Sequence, residues 1–419
     1  MMSRGKTLLV GAGAEYAAPF SLPSGKQFVF DTCYYSNSSL YGALEEFYRG
    51  RLSNSDNSSE SKAPAKYQPL FLYTPQNAEF RKLANYVLEN CQGSVLFTQL
   101  KKYVKKGDDD ATVSALDSDG LAHLFAKLIK RSDDDEDTNE LREIAIGGIP
   151  EDAYYGIIES YFSSLVNPKR RSQSFWRLIN YYWSAFFTVA EPLIRKVYGE
   201  DCLFKKKGLY EFTLANLPDV VEAITDRNLY STDEVAPSYY GRFRDRFANV
   251  LTTNYTGLSE LLFSNPTDAR RCIYLSGALW QFEHLDSLTS FEIDGHSADK
   301  TFIETEFVFP FLMTQAPIKP IIDTRQIEAY SKAIDALRRT DLLVVLGYSF
   351  CESDYHIAAL VRDYMLQPGS RLIYFDYSKE KKQSDIARLL RLSSTGDYDI
   401  QVLHPDEEGL KQLDYTLSM

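Results

Sequence analysis

Short blocks of consecutive apolar residues, each closed by a glycine or a polar turn, mark both ends of the sequence. Residues 6–10, KTLLV, form the first block, and TDLLVVLGYSF (340–350) holds the strongest, closed by Gly347. RLIYFDYS (371–378) repeats the pattern, and DIQVLHP (399–405) is a weaker instance. ANVLTTNY (248–255) and RCIYLSG (271–277) supply two more. Unbroken apolar runs of this length suit strands buried on both faces. Helical periodicity at 326–339, 354–365 and 384–392 separates the later blocks. Strand and helix in alternation predict an α/β fold with a Rossmann-like parallel sheet. ALWQFEHL (278–285) reads as a helical aromatic stretch.

Between residues 36 and 244 the pattern is mostly helical, broken by polar segments such as SNSDNSSESK (53–62) and KRSDDDEDTNE (130–140). Such segments read as solvated loops or disordered tips. A lone first strand far from its partners has a natural explanation. Residues 1–35 and 245–419 form one discontinuous domain, and 36–244 are a large helical insertion. An aromatic series runs through the insertion from Tyr154 and Tyr161 to Phe175, Trp176, Tyr182, Trp183 and Phe187. It reads as helix-packing core or as a face for a partner subunit.

Composition narrows the function classes. The chain has 419 residues, 44% hydrophobic, and a formal charge of −12. That balance disfavours direct binding to a nucleic-acid backbone, which needs clustered cations. No window approaches the ~18 apolar residues of a membrane span, and the apolar start is interrupted by Gly11 and Gly13 and followed by Glu15. Cys33, Cys91, Cys202, Cys272 and Cys351 are scattered and odd in number. A reduced, cytoplasmic protein without a metal site is expected.

Candidate chemistry lies where the strands should end. GAGAEY (11–16) places a glycine turn after the first strand, where backbone N–H groups can approach a pyrophosphate. Tyr16 breaks the G-x-G-x-x-G pattern. Thr253 and Asn254 follow the 248 strand, and Asn254 either bonds a ribose hydroxyl or caps the GLSELL (257–262) helix. Ser349, Ser353 and Asp354 follow Gly347 as cap residues for the 354–365 helix. Asp376 ends another strand, as a ribose ligand or a turn residue.

Taken together, G-A-G-A (11–14) with L-P-S-G (22–25), T-T-N-Y (252–255) and G-Y-S-F-x-x-x-D-x-H-I (347–357) resemble the sirtuin superfamily. The likeness is to the divergent sirtuin-like domains of prokaryotic anti-phage defence systems. I-K-P (318–320), after VFPFL, fits the same order, and the likeness spans about residues 6–32 and 245–378. It implies a sirtuin-type sheet and NAD as substrate, held by Gly11, Ala12, Gly13, Ala14, Asp31, Thr253, Gly347 and Ser349, with Asp376 near the adenosine ribose. It places Asn254 against the nicotinamide ribose. Relatives of the defence branch mostly cleave NAD to nicotinamide and ADP-ribose, and they lack the zinc-binding cysteines of protein deacetylases, as this chain does. Analogy with them implies a homo-oligomer or a partner such as a HerA-type ATPase.

One departure stands out. The family's general-base histidine is matched by Ser276 in Y-L-S-G, and a serine hydroxyl is too weak a base near neutral pH. His284 is the nearest replacement in sequence, either swinging into the site or packing elsewhere. His356 reads as structural. The loss leaves three readings: an NAD glycohydrolase, a binding module for NAD or ADP-ribose, and, more weakly, a deacylase.

Overall fold

A computed structural model describes residues 5–23, 40, 43–44, 46–48, 171–199, 206–284, 290–293, 308–313, 324–350, 354–377 and 381–418. Six strands build its main sheet: β1 (Gly5–Val10), β2 (Asn249–Thr252), β3 (Cys272–Tyr274), β7 (Thr340–Leu346), β8 (Arg371–Phe375) and β9 (Asp399–Leu403). A second sheet joins β4 (Gly277–His284), β5 (Ser290–Glu292) and β6 (Val308–Leu312). The main sheet is wholly parallel, in the order β3-β2-β1-β7-β8-β9. This is the α/β, Rossmann-like architecture that the apolar blocks predict.

Alternation along each strand explains why the blocks are apolar throughout. Leu8, Val10, Val344 and Leu346 enter one core, while Leu9, Leu343 and Val345 enter the other. Successive side chains point to opposite faces, so a strand covered on both sides must be apolar at every position. Helices α7 (Thr324–Arg338) and α8 (Tyr355–Met365) cover the second face with Ala333, Ala336, Ile357 and Val361.

The described residues between β1 and β2 include the helices α1 (Gly13–Tyr16), α2 (Arg171–Tyr198), α3 (Lys206–Ala215), α4 (Leu217–Thr225), α5 (Thr232–Val235) and α6 (Tyr239–Arg242). Tyr182, Trp183 and Phe187 are buried, Tyr182 against Phe309 of β6 and Trp183 against Phe282 of β4. For these three the packing-core reading holds, and a partner face is excluded by burial. Tyr154 and Tyr161 lie outside the described residues, as do the side chains of Phe175 and Trp176. The last helices are α9 (Gln383–Leu389) and α10 (Glu407–Ser418). No described helix is long and apolar enough to cross a membrane.

Two local expectations change. ALWQFEH (278–284) lies in strand β4, not a helix, and pairs antiparallel with both β5 and β6. Its pairing with β6 shifts register between Gly277 and Phe282, so Ala278 and Leu279 are both buried and the period-2 signature is lost. GLSELL is a 3-10 helix, and its cap is Thr256, whose hydroxyl accepts from the Leu258 N–H.

Candidate functional site

The order of strands fixes where a cleft must open. From β1 the chain steps outward through β2 to β3, then returns to the far side of β1 as β7 and proceeds to β8 and β9. The carboxyl ends of β1 and β7 are therefore the switch point, where loops diverge and leave a crevice. A cleft of about 780 Å³, measured to its open mouth, lies there. Ala12 and Gly13 reach it after β1, Thr253 to Thr256 after β2, Ser276 after β3, and Gly347 to Ser349 after β7. Leu22, Pro23, Val189 and Met313 give it apolar walls.

The glycines hold two strand ends together. Gly11 donates its N–H to the Leu346 carbonyl at 3.0 Å, and Gly13 donates to that of Gly347 at 2.8 Å. A Cβ on Gly13 would sit 2.9 Å from the Gly347 Cα, and Gly347 has φ +66°, a left-handed backbone that favours glycine. These bonds also change the expected chemistry. The amides of Gly11, Gly13 and Ala14 all donate to protein carbonyls, so they do not form the expected pyrophosphate cradle. Gly11 and Ala14 are buried and do not line the cleft, whereas Ala12 and Gly13 do.

Asn254 is set by its neighbours in sequence. The Thr253 N–H donates to the Val10 carbonyl at 3.1 Å, and the Asn254 N–H donates to the Thr252 hydroxyl at 3.0 Å. The capping role falls to Thr256, which leaves the Asn254 side chain to the cleft. The residue is 5% exposed. Its Nδ2 donates to the Tyr240 phenol at 3.4 Å, and its Oδ1 is buried with no hydrogen-bond partner among the described residues. An orphaned buried acceptor costs about 1–3 kcal/mol, so its survival in a cleft points to a ligand.

Beside it lies a residue that the sequence did not flag. Glu15 of α1 is 3% exposed and lines the same cleft. Both of its oxygens accept from the Thr256 hydroxyl, at 2.9 and 2.8 Å, and Oε1 also accepts from the Tyr240 phenol at 2.8 Å. Burial pushes its pKa up to about 7, against the downward pull of the Thr256, Tyr240 and Asn254 hydrogen bonds. No local pattern announces this: the donors lie 225 and 241 residues away.

Ser276 turns the chain into the second sheet. Its carbonyl accepts from the Met313 N–H at 2.7 Å, and Gly277 follows at φ +86°. Ser276 is 9% exposed and lines the cleft. His284 is the last residue of β4, which begins next to Ser276. At ~3.3 Å per residue the strand carries its backbone roughly 25 Å from Ser276, and its side chain lies outside the described residues.

The remaining candidates separate. Ser349 lines the cleft, and so does Asp354, which occupies the N-cap position of α8 without a side-chain cap bond. The Asp354 carboxylate instead accepts from the Tyr348 phenol at 3.1 Å. Asp376 follows β8 but does not line the cleft, and its carboxylate pairs with Lys381 at 2.7 Å. His356 lies in α8 beside the ring of Tyr330. Asp31 and Ser353 lie outside the described residues. Among the described residues no group of three His, Cys, Asp or Glu is placed to hold a metal.

No protein-family model matches the chain, and no curated protein is similar to it in sequence. Solved structures similar to it include a Sir2 homologue in complex with NAD, at 13% identity and a TM-score of 0.27, covering 49% of this chain and 75% of that one. Two mutant Sir2 homologues in complex with ADP-ribose match at 14% identity and TM-scores of 0.26. These cover 49% and 54% of this chain, and 78% and 91% of theirs.

Proposed function

We propose that this protein is a sirtuin-like NAD glycohydrolase, cleaving NAD with water to nicotinamide and ADP-ribose, and that it serves as the effector of an anti-phage abortive-infection system. The observation that carries the reading is Asn254: an unpartnered, buried Oδ1 in a cleft at the switch point of a parallel sheet, which Ser276 also lines. The T-T-N-Y and G-Y-S-F motifs supply the resemblance, and the fold brings Asn254, Gly347 and Ser349 to one cleft. An acceptor there suits a ribose hydroxyl or the attacking water. Breaking the bond to nicotinamide is largely dissociative, so positioning and exclusion of competing water supply much of the rate. Ser276 then acts as a hydrogen-bonding group at the ribose, not as a base. The cationic nicotinamide ring suits a cleft whose described lining holds Glu15 and Asp354 and no Lys or Arg.

A toxic activity needs control, and we assign that to assembly, as a homo-oligomer or with a partner such as a HerA-type ATPase. The test is nicotinamide release from NAD by the purified protein, alone and with its partner. Release that disappears in Asn254→Ala supports the reading, and no release under any activating condition sinks it.

Ser276 in place of the family histidine favours a second reading, a module that binds NAD or ADP-ribose and acts through assembly. Full defence activity in Asn254→Ala would select it.

A further inference from the structure

Glu15, Tyr240 and Asn254 form a directional chain. A carboxylate can only accept hydrogen bonds, so with Glu15 ionised both the Tyr240 and the Thr256 hydroxyls must point their protons at it. The Tyr240 oxygen then has lone pairs alone to offer on its other side. Of the two ends of the Asn254 amide only the NH2 can meet them, and Nδ2 lies 3.4 Å away; the Ser259 hydroxyl is a second donor to the same phenol, and the Asn254 NH2 also bonds Glu15 directly. The amide is thereby turned with its nitrogen inward and its oxygen toward the cleft. We propose that Glu15 is a positioning residue: directly and through Tyr240 its carboxylate fixes which end of the Asn254 amide faces the ligand, and a proton on Glu15 releases that control.

The reverse state is chemically complete. A protonated Glu15 gains an O–H, which can donate to the Tyr240 oxygen. Tyr240 can then donate to Asn254 turned about, presenting NH2 to the cleft in place of Oδ1. A ligand hydroxyl or water that donates to Oδ1 loses its acceptor. The ionisable groups acting on Glu15 are Tyr230, Tyr240 and Tyr274. Burial raises all three phenols, Tyr230 to about 12, so they stay neutral while Glu15 titrates. With the pKa of Glu15 raised to about 7, the ionised fraction rises about tenfold between pH 6 and pH 8.

The catalytic consequence rests on the NAD reading above, and the positioning does not, so the experiment measures both. The side-chain amide resonances of Asn254, assigned by their loss in Asn254→Ala, are followed against pH in the full-length protein, alongside nicotinamide release. The expected result is a shift of those resonances with a midpoint near pH 7, abolished in Glu15→Gln and weakened in Tyr240→Phe. Turnover in the wild type rises about tenfold from pH 6 to pH 8, and it is low and flat in Glu15→Gln. Thermal melts confirm that both variants are folded. Amide resonances that titrate without any nicotinamide release uphold the positioning and overturn the NAD reading. Release with pH-independent Asn254 resonances, or resonances that still titrate in folded Glu15→Gln, overturns the positioning.

Discussion

Gly13 and Gly347 are 334 positions apart, yet the N–H of the first donates to the carbonyl of the second at 2.8 Å, and this contact sets the floor of the cleft. Each approach is possible because neither residue has a side chain. Gly347→Ala would add a Cβ against the Ala14 nitrogen and the Gly13 carbonyl carbon, on a backbone with φ +66°. Strain of this kind costs about 1–3 kcal/mol before any clash is counted. We expect Gly347→Ala to lower stability by at least about 2 kcal/mol in urea unfolding and to abolish NAD binding. Wild-type stability in this variant would show that the two turns are not locked together.

Asn254→Ala separates function from stability. The wild-type side chain keeps a buried oxygen unpaired, so its removal also removes a desolvation cost of about 1–3 kcal/mol. The variant should melt no lower than the wild type, while nicotinamide release falls by about 10²–10³-fold, the loss typical of one pre-placed polar group. A variant that loses stability and activity together would mark Asn254 as a structural residue.

Glu15 makes stability fall as pH rises. Its native pKa of about 7 lies above the ordinary 4.5, so between those values the folded state binds more protons than the unfolded state. The stabilisation is fully present below about pH 4.5 and is lost as pH climbs through about 7, a change of order 3 kcal/mol. Chemical unfolding at pH 5.5 and pH 8 should show the decline in the wild type and little of it in Glu15→Gln. Equal slopes in the two proteins would contradict the burial of an ionisable group there.

The main sheet was largely legible from the sequence, because KTLLV, LLVVL and RLIYF are buried on both faces and carry an unmistakable apolar block. The cleft was legible in part, through residues at strand ends: Asn254, Ser276, Gly347 and Ser349 all reach it. Strand β4 was not, because its irregular register puts adjacent Ala278 and Leu279 in the core and hides the alternation. Glu15 was invisible for a different reason. A lone glutamate after G-A-G-A looks like a solvated first-turn residue, and its burial depends on Tyr240 and Thr256, which only the fold brings near.

His284 provides a test of the strand assignment. If β4 keeps it as far from Ser276 as the roughly 25 Å its backbone travels, it contributes nothing to the cleft. His284→Ala should keep nicotinamide release within about twofold of the wild type, with an unchanged pH profile. Loss of activity by tenfold or more, in a variant that melts normally, would place the imidazole at the reacting ribose and restore the missing base.

Trp183 tests how tightly the helical region is joined to the second sheet. The side chain is fully buried, with its ring against Phe186, Phe187 and Phe282, and its indole N–H donates to the Tyr48 phenol at 2.6 Å. Tyr48 in turn donates to the Val308 carbonyl of β6 at 2.9 Å. Trp183→Ala therefore opens a large cavity and removes one donor to the Tyr48 phenol. A cost of about 3–5 kcal/mol follows from truncating a buried aromatic, with a further contribution from the lost indole hydrogen bond. Trp183→Phe keeps most of the volume and loses the donor, so it should cost about 1–2 kcal/mol. Because Val189 of the same helix α2 lines the cleft, nucleotide affinity should weaken in Trp183→Ala and recover in Trp183→Phe. Calorimetric titration with ADP-ribose measures it, and equal affinity in both variants would show that the helix does not shape the cleft.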